Sequence, residues 1–432
     1  MNNREIRRLT PDDMPAYMEI YLNAYPAGKD LSDECYEKYY NRNLQSMTEY
    51  DHVNFFGLFE DSEEGSQLIA TMKLIDFDIN LFGEMRKATG LMALGVHPLH
   101  KRKGAARDMV KFFEKYTQES GGAVSMLLPF RMDFYKKLGY GCGTKLDEYH
   151  IRTEYLPKYD AGSLAGSTAG NLRFLRENEM DMALQCHTEF VHRNHGAVCK
   201  FEEEIRDFYE DDEVRRIGCF KDGKLRGYVS FTFENTSDCN YTLNRMNVKE
   251  LVYEDSEVLE KLLTGLRMQS DLAQSVVIRS GESDFYHVLA SCQDMSGGYI
   301  DFGFLQTNVS AVGTMYKICD FQHFIDATAH RKFPQIKLTA GFSVTDDMTG
   351  EMELFSIRFS DRWEYSDGEE DYDTADVHVE CNRSDLSVLL MGSAEFGALA
   401  RLGIMKVDRP EHVSTLDVLL HAEQKPFTNT DY

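Results

Sequence analysis

Residues 91–107, LMALGVHPLHKRKGAAR, decide the fold of this 432-residue chain. The apolar run at 91–96 has the length of a strand, and Pro98, which has no N–H to donate to a strand ladder, ends it. Residues 97–103 are rich in His, Lys and Arg, and three small residues follow at 104–106. Apolar residues at helical spacing follow as far as residues 121–122. The stretch predicts a strand, a basic turn and a helix whose free N–H groups form a site for a phosphate-sized anion.

Composition narrows the classes of function. A net charge of −25 argues against a nucleic-acid partner, which needs a basic face, and favours cationic ligands. No apolar run approaches the roughly 20 residues of a bilayer span, and residues 1–13 have no apolar signal core. We therefore expect no membrane partner and a cytoplasmic location. The nine scattered cysteines lack a Cys-x-x-Cys pair, so we expect neither a disulfide framework nor a metal site.

The sequence around the opening stretch predicts the rest of one domain, residues 1–158. Its patterns give the order β, α, α, β, β, β, α, β, α, β, which is typical of a mixed sheet with helices on both faces. A buried strand at 123–128 precedes the segment RMDFYKKLGYGCG, residues 131–143. Tyr135 lies on a short helix within this segment. Tyr36, on an earlier predicted helix, fits either a core position or the wall of a substrate pocket.

A second unit begins after residues 159–170, which are small and flexible in composition and predict a linker. Residues 171–295 repeat the order of elements of the first domain. The turn that corresponds to the basic one holds Glu254 and Asp255 in place of cations and glycine. Because these carboxylates repel anions, we expect the second unit to be a structural copy without a cofactor.

A third segment, residues 300–432, has a different pattern. It predicts an amphipathic helix at 315–327, then strands at 336–344, 353–359 and 375–381, an acidic loop at 361–376 and an apolar helix from 386 through 400. This order resembles a sterol carrier protein domain, whose fold alone does not imply lipid binding.

Two motifs and the end of the chain carry a wider resemblance. Residues 101–106, KRKGAA, resemble the Arg/Gln-x-x-Gly-x-Gly/Ala motif of the GNAT superfamily of N-acetyltransferases, and residues 134–140, FYKKLGY, resemble the segment that ends its cofactor half. With residues 430–432, TDY, the whole chain resembles the Eis (enhanced intracellular survival) family. The resemblance implies an α/β (α+β) fold of two tandem GNAT domains and a sterol-carrier-like domain. It also implies a homo-oligomer, specifically a hexamer.

The resemblance further implies acetyl-CoA as co-substrate and assigns the site residues. The catalytic acid is Tyr135, and the base is the terminal carboxylate of Tyr432. The acceptor amine is expected beside Asp431, Tyr25 and Tyr36. The cofactor is expected along the central strand, the turn and helix start, and the segment before the catalytic tyrosine, at Leu94, Gly95, Val96, Lys101, Arg102, Lys103, Gly104, Ala105, Ala106, Arg107, Phe130 and Arg131.

The chemistry of acetyl transfer suits these residue types. A phenol, whose unperturbed pKa is about 10, can protonate a departing thiolate, and a carboxylate whose pKa is raised by burial can take a proton from an amine. We therefore expect an N-acetyltransferase that acts directly, in a ternary complex, on primary amines of a polycationic small molecule such as an aminoglycoside or polyamine. The alternatives are acetylation of protein lysines, or a carrier or interaction protein with a vestigial acetyltransferase unit. Lys101 and Ala106 depart from the motif conservatively, whereas the bulkier residues 129–133 leave the acceptor range open.

Overall fold

The computed structural model describes residues 4–26, 32–63, 65–158, 170–298, 300–428 and 430. Within these ranges the strands are β1 (Arg4–Arg8), β2 (Val53–Ser62), β3 (Gly65–Leu81), β4 (Glu84–Val96), β5 (Val124–Leu127), β6 (Gly141–Cys142), β7 (Lys145–Arg152), β8 (Asn171–Phe174), β9 (Arg215–Lys221), β10 (Lys224–Asn235), β11 (Asn244–Tyr253), β12 (Ser275–Ser280), β13 (Val309–Val312), β14 (Met315–Lys317), β15 (Leu338–Thr345), β16 (Met352–Phe359), β17 (Trp363–Ser366), β18 (Val377–Asn382) and β19 (Lys406–Val407). The α-helices are α1 (Met14–Ala24), α2 (Asp33–Glu49), α3 (Ala105–Glu119), α4 (Met132–Lys136), α5 (Met180–Val191), α6 (Glu202–Glu210), α7 (Ser256–Arg267), α8 (Phe321–Ala327), α9 (Glu369–Asp373), α10 (Arg383–Leu390), α11 (Phe396–Arg401) and α12 (Val413–Leu420).

Backbone contacts divide the chain into two compact units. The first unit contains the described residues of Met1–Gly143 and Thr314–Lys425, together with Thr430. The second unit contains the described residues of Thr144–Gly313 and residues 426–428. The N-terminal segment and most of the third segment therefore form one body, and the middle of the chain forms the other.

The first unit is built on two sheets. Its seven-stranded sheet has the order β1-β2-β3-β4-β5-β14-β6, in which only the β4–β5 pair is parallel. Its five-stranded sheet has the order β17-β16-β15-β18-β19. Helix α3 buries Met109, Val110 and Phe113 in the core of the first sheet, at the spacing of one helix face. Complete burial of each such side chain stabilises the fold by roughly 1.5–3 kcal/mol.

The third segment contributes a strand to the first sheet. Strand β14 lies between β5 and β6, where Lys317 pairs with Ser125 and Met315 pairs with Leu127 on one side and Cys142 on the other. The predicted amphipathic helix at 315–327 is therefore wrong in its first part, because residues 315–317 are extended. Only residues 321–327 are helical, and Asp320 caps that helix by accepting a hydrogen bond from the backbone N–H of His323 at 2.9 Å.

The second unit repeats the arrangement of a sheet with helices. Its sheet has the order β13-β7-β12-β11-β10-β9-β8, and α7 packs Val258, Leu262 and Leu266 into its core. Strand β7 lies within the segment 1–158 of the sequence but pairs in this second sheet, antiparallel to both β12 and β13. Strands β9 and β10 form an antiparallel hairpin around the turn at Asp222-Gly223.

Two further predictions for the third segment need correction. The predicted acidic loop at 361–376 contains β17 and α9, and α9 packs against β15 and β16. The predicted apolar helix from 386 through 400 is two helices, α10 and α11, because Gly392 adopts a left-handed φ of 72° after the first.

The predicted linker at 159–170 lies, except for Gly170, outside the described residues. None of the helices in the described ranges combines the length and the apolar composition of a membrane span.

Candidate active site

The middle of β4 carries a β-bulge that shapes the site. Thr71 of β3 faces Gly95, whereas Lys73 faces Met92, so an extra residue is inserted into β4 between these pairs. Ala93, inside the bulge, has a φ of 53°, a left-handed conformation that costs a residue with a Cβ on the order of 1–3 kcal/mol. The parallel ladder with β5 ends before the bulge, at the Leu91–Leu127 pair. Within the described chain, Gly95 and Val96 thus pair with β3 alone, and Leu94 and Val96 line a cleft.

The basic turn after β4 leads into the start of α3. Arg102 has a φ of 64°, and Gly104, the residue before the helix, has a φ of 86° that glycine adopts without strain. Inside the first turn of α3, Asp108 accepts a hydrogen bond of 2.7 Å from Arg4. The helix start therefore offers free N–H groups, and the charge of its one nearby carboxylate, Asp108, is balanced by Arg4. Such an environment suits an anion.

The cations of this turn are available to a ligand. Four side chains, Lys101, Arg102, Lys103 and Arg107, are exposed and form no ion pair or side-chain hydrogen bond with the described residues. In a chain with a net charge of −25, four adjacent cations that lack a carboxylate partner in this part of the structure are conspicuous. They surround the start of α3, where they would attract a diphosphate.

A cleft of about 410 Å³ runs from this turn to the segment after β5. Ten of the twelve residues predicted to hold the cofactor line it: Leu94, Val96, Lys101, Arg102, Gly104, Ala105, Ala106, Arg107, Phe130 and Arg131. The guanidinium of Arg131 also pairs with the exposed carboxylate of Asp133. Lys103 and Gly95 are not among the described lining residues. A Cβ added to Gly95 would meet Ile20 of α1 at 3.0 Å, so this residue allows close packing of α1 on β4.

Tyr135 is another lining residue of this cleft. It is only 7% exposed, and burial raises the pKa of its phenol to about 12. Its ring packs edge-on against Phe134, with 5.1 Å between ring centroids, and against Tyr140, with 6.1 Å. A buried phenol with a raised pKa keeps its proton at neutral pH, which is the state in which it can act as an acid.

A second pocket of about 380 Å³ is also lined by Tyr135. The bulge of β4, residues 128–130 and two tyrosines of the α1 region, Tyr21 and Tyr25, line it. The hydroxyl of Tyr25 donates a 2.9 Å hydrogen bond to the carbonyl oxygen of Leu94. Burial raises the pKa of Tyr25, and the nearby Tyr135 and Tyr21 raise it further. Tyr25, Leu94, Phe130 and Tyr135 line both pockets.

Three predicted acceptor or catalytic residues are not brought into these pockets by the described structure. Tyr36 lies on α2 and stacks on Tyr40, with 5.7 Å between ring centroids, and the described lining residues do not include it. Asp431 and Tyr432 lie outside the described residues. The roles assigned to these three residues stay predictions.

Some residues that line the two pockets are not singled out by the sequence patterns. Tyr21 occupies the same face of α1 as Tyr17 and Tyr25, at intervals of four residues that a helical pattern could have grouped. Phe134 precedes Tyr135 in the motif and lines the cleft of about 410 Å³. Residues 92 and 93 line the second pocket because of the bulge, which alternating strand patterns do not reveal.

The equivalent helix start in the second unit has different chemistry. Asp255 caps α7 by accepting a hydrogen bond from the backbone N–H of Val258 at 3.0 Å. Arg226 pairs with both Glu254 and Asp255. One N–H of the first turn of α7, where a phosphate would bind, therefore already has a carboxylate partner. That this unit holds no cofactor stays a prediction.

Comparisons with known proteins agree with this architecture. Residues 5–143 and 196–300 match two families described as acetyltransferase (GNAT) domains. Residues 325–429 match a sterol carrier protein domain family. A search of curated proteins finds no match.

Solved structures share the whole fold at low sequence identity. A probable N-acyltransferase from Enterococcus faecalis is 15% identical, with a TM-score of 0.75 and coverage of 100% of both chains. A GCN5-related N-acetyltransferase from Anabaena variabilis is 14% identical, with a TM-score of 0.75 and coverage of 99% of both chains. Eis1 from Mycobacterium abscessus is 17% identical, with a TM-score of 0.74 and coverage of 100% of both chains.

The domain matches define the class of this chain, because residues 5–143 and 196–300 are acetyltransferase domains of the GNAT superfamily. Its two GNAT domains and sterol carrier protein domain give it an Eis-like architecture. The predicted fold class is confirmed, as is the Eis-like arrangement of two GNAT domains and a sterol carrier protein domain. The domain bounds, the hexamer and the roles of individual site residues stay predictions.

Proposed function

We propose that this protein transfers the acetyl group of acetyl-CoA directly to a primary amine of a polycationic small molecule, such as an aminoglycoside or a polyamine. One observation carries the proposal: Tyr135 lines two pockets whose other lining residues differ in character. The first, the cleft of about 410 Å³, includes a basic turn and a helix start. The second, of about 380 Å³, adds Tyr21 and the bulge of β4.

The cleft fits the parts of acetyl-CoA. The helix start and the free cations at 101–107 suit its diphosphate. The edge of β4 at residues 94–96 offers backbone groups to the amides of the pantetheine arm. The thioester would then reach the bulge, beside Tyr135.

The proposed reaction is a direct displacement. The amine nitrogen attacks the thioester carbonyl carbon, so a C–N bond forms while the C–S bond breaks. The departing thiolate takes the proton of the Tyr135 phenol, and the amine gives its proton to a base. The resemblance proposes the carboxylate of Tyr432 as that base. Thr430, two residues before Tyr432, is 3% exposed and belongs to the first unit.

The acceptor class follows from charge and from the pocket walls. The acidic chain raises the local concentration of cations. The faces of Tyr21 and Tyr25 can attract an ammonium group. Because burial among apolar and aromatic groups lowers the pKa of an amine, the same pocket favours the neutral form that attacks the thioester.

The test is the release of free CoA thiol from acetyl-CoA in the presence of kanamycin, spermine or a lysine-containing peptide. Diaminododecane is the matched control, since it has a similar length to spermine but fewer charges. We expect turnover with kanamycin or spermine and much less with diaminododecane. Turnover with the peptide alone would favour protein lysine acetylation. Failure to bind acetyl-CoA in calorimetry would favour the carrier alternative.

A further inference from the structure

The contacts of Lys317 connect the sterol-carrier-like segment with the catalytic tyrosine. Lys317 is the last residue of β14, and its side chain is 2% exposed. Its Nζ donates hydrogen bonds of 2.9 Å to the backbone oxygen of Leu138 and of 2.9 Å to a carboxylate oxygen of Glu114. A carboxylate oxygen of Asp346 lies 3.8 Å away. The buried ammonium group thus has three oxygen partners from three separate parts of the first unit.

The bond to Leu138 acts on the segment that holds Tyr135. Helix α4 has only five residues, too few to hold its own geometry without outside contacts. The backbone N–H groups of Leu138 and Tyr140 both donate to the carbonyl of Tyr135, at 3.0 and 3.1 Å. Between them, Gly139 has a φ of 85°, and a Cβ there would lie 2.9 Å from Nζ of Lys317. The lysine therefore packs against the turn that fixes the backbone of Tyr135.

The bond to Glu114 connects the same lysine with the anion site. Glu114 lies on α3, the helix that begins next to Gly104. The ammonium group consequently joins the helix at the expected diphosphate site with the turn that holds the catalytic phenol. Asp346 is itself held by Met348 and Thr349, whose backbone N–H groups donate to it at 2.9 and 2.8 Å.

We propose that Lys317 is a positioning residue for Tyr135: by holding the carbonyl of Leu138, it keeps the phenol at the thioester. This inference rests on the proposed acid role of Tyr135. The acetyltransferase domain therefore takes part of its active-site support from a residue of the third segment, 182 positions along the chain from the tyrosine it positions.

The variant for the test is Lys317→Met combined with Glu114→Gln, so that no buried carboxylate is left without its cation. Arg331→Met is the matched control. Arg331 is also a buried cation of the third segment that donates to backbone carbonyls, those of Leu420 and His421, but it does not contact residues 135–140. Thermal unfolding of each variant measures the fraction of the protein that is folded at the assay temperature.

We expect the double variant to lose roughly 10- to 100-fold in kcat, because a catalytic group displaced by about 1 Å can cost about 100-fold. Its Kd for CoA, from calorimetry, should stay within about twofold of the parent value. Arg331→Met should keep the parent kcat at equal folded fraction. The decisive step repeats both changes in a Tyr135→Phe background. There the Lys317 and Glu114 changes should lower kcat no further, because they act through the missing phenol.

An equal loss of kcat in both backgrounds would overturn the positioning role and leave the acid role of Tyr135 intact. Full kcat in Tyr135→Phe alone would instead refute the acid role, whatever Lys317 does. Hydrogen exchange of residues 134–142 tests the same inference without any acceptor amine. We expect faster exchange of the Leu138 and Tyr140 amides in the double variant but not in Arg331→Met, and unchanged exchange would also overturn the proposal.

Discussion

At the scale of single residues, the buried phenol of Tyr135 leads to the most direct prediction. The change Tyr135→Phe removes one hydroxyl and keeps the ring contacts with Phe134 and Tyr140. We expect kcat to fall by roughly 10²–10⁴, the usual contribution of general acid catalysis, with little change in the Kd for CoA. Steady-state kinetics and calorimetry on the purified variant measure both quantities.

The control for this change is Tyr116→Phe. The Tyr116 hydroxyl donates a 2.6 Å hydrogen bond to Asp76, and this tyrosine is not among the described residues that line either pocket. We expect its removal to lower stability and leave kcat unchanged. Because the folded pKa of Tyr135 is about 12, the phenol should not limit kcat on the alkaline side below about pH 10. A loss of activity with a midpoint near pH 8 that disappears in Tyr135→Phe would contradict this assignment.

His187 leads to a prediction about acid stability in the second unit. Burial, assisted by the positive charge of Lys200, lowers the pKa of His187 to about 4. Between pH 6.5 and 4 the unfolded chain therefore binds a proton that the native chain does not bind, so the stability contribution of His187 is lost as the pH falls. At 1.36 kcal/mol per pKa unit, the loss is roughly 3 kcal/mol.

The measurement is urea unfolding of His187→Asn at several pH values from 7 to 4. We expect this variant to have a flatter dependence of the unfolding free energy on pH than the parent chain. His192→Asn is the matched control, since His192 is exposed at the end of the same helix. Equal slopes in all three proteins would show that His187 titrates alike in the folded and unfolded chains.

The sequence predicted one part of the candidate site well because that part depends on local chemistry. The basic turn and Tyr135 belong to short motifs in which residue type and spacing determine the structure. The tyrosine walls and Lys317 depend on contacts between distant residues. A lysine in a strand whose partners are unknown carries no local sign of burial, so single-sequence patterns did not single it out.

At the scale of elements, the start of α3 is predicted to dominate CoA affinity. Arg102→Ala and Arg107→Ala should each raise the Kd for CoA about 10-fold, since a lost charged hydrogen bond costs about 1.5 kcal/mol or more. Added salt should reduce the difference from the parent protein. Titration calorimetry at two salt concentrations measures both effects.

Lys115→Ala is the control on the same helix. Its side chain is 71% exposed, and its Nζ lies 3.6 Å from a carboxylate oxygen of Glu119, the last residue of α3. We expect the Kd for CoA to be unchanged in this variant. If all three substitutions weakened CoA binding equally, general electrostatic attraction would explain the result better than a site at the helix start.

Elements differ in how well the sequence predicts them. The amphipathic α3 was predicted correctly because its buried face repeats at helical spacing over four turns. Strand β14 was predicted as helix because its three residues are followed at once by the apolar positions of α8. A strand of three residues is too short for its alternation to outweigh a neighbouring helical pattern, and its burial depends on β5 and β6, which lie far away in the sequence.

At the scale of the whole molecule, the composition of the first unit predicts the outcome of truncation. A chain of residues 1–158 lacks β14, which leaves β5 and β6 without the strand between them. We expect this fragment not to bind CoA. A chain that joins residues 1–143 to 314–425 through a short linker should recover binding, because Gly143 already donates a 3.1 Å hydrogen bond to the carbonyl of Thr314.

Calorimetry with CoA and amide proton spectra of both fragments test this prediction against the full chain. Tight CoA binding by residues 1–158 alone would contradict it, since it would show that the sheet tolerates the absence of β14. Failure of the joined chain, when the full chain binds CoA, would show that the second unit supports the site in a way that the first unit cannot replace.

The position of β14 also governs the order of events on the ribosome. The edges of β5 and β6 emerge first, but the strand that separates them is made only after Thr144–Gly313 have been synthesised. At about 5–20 residues per second, this interval lasts on the order of 10–30 s. During that time the nascent acetyltransferase sheet has unpaired edges, which are open to pairing with other chains. The unit that holds the candidate active site is therefore the first to be translated and among the last to be completed.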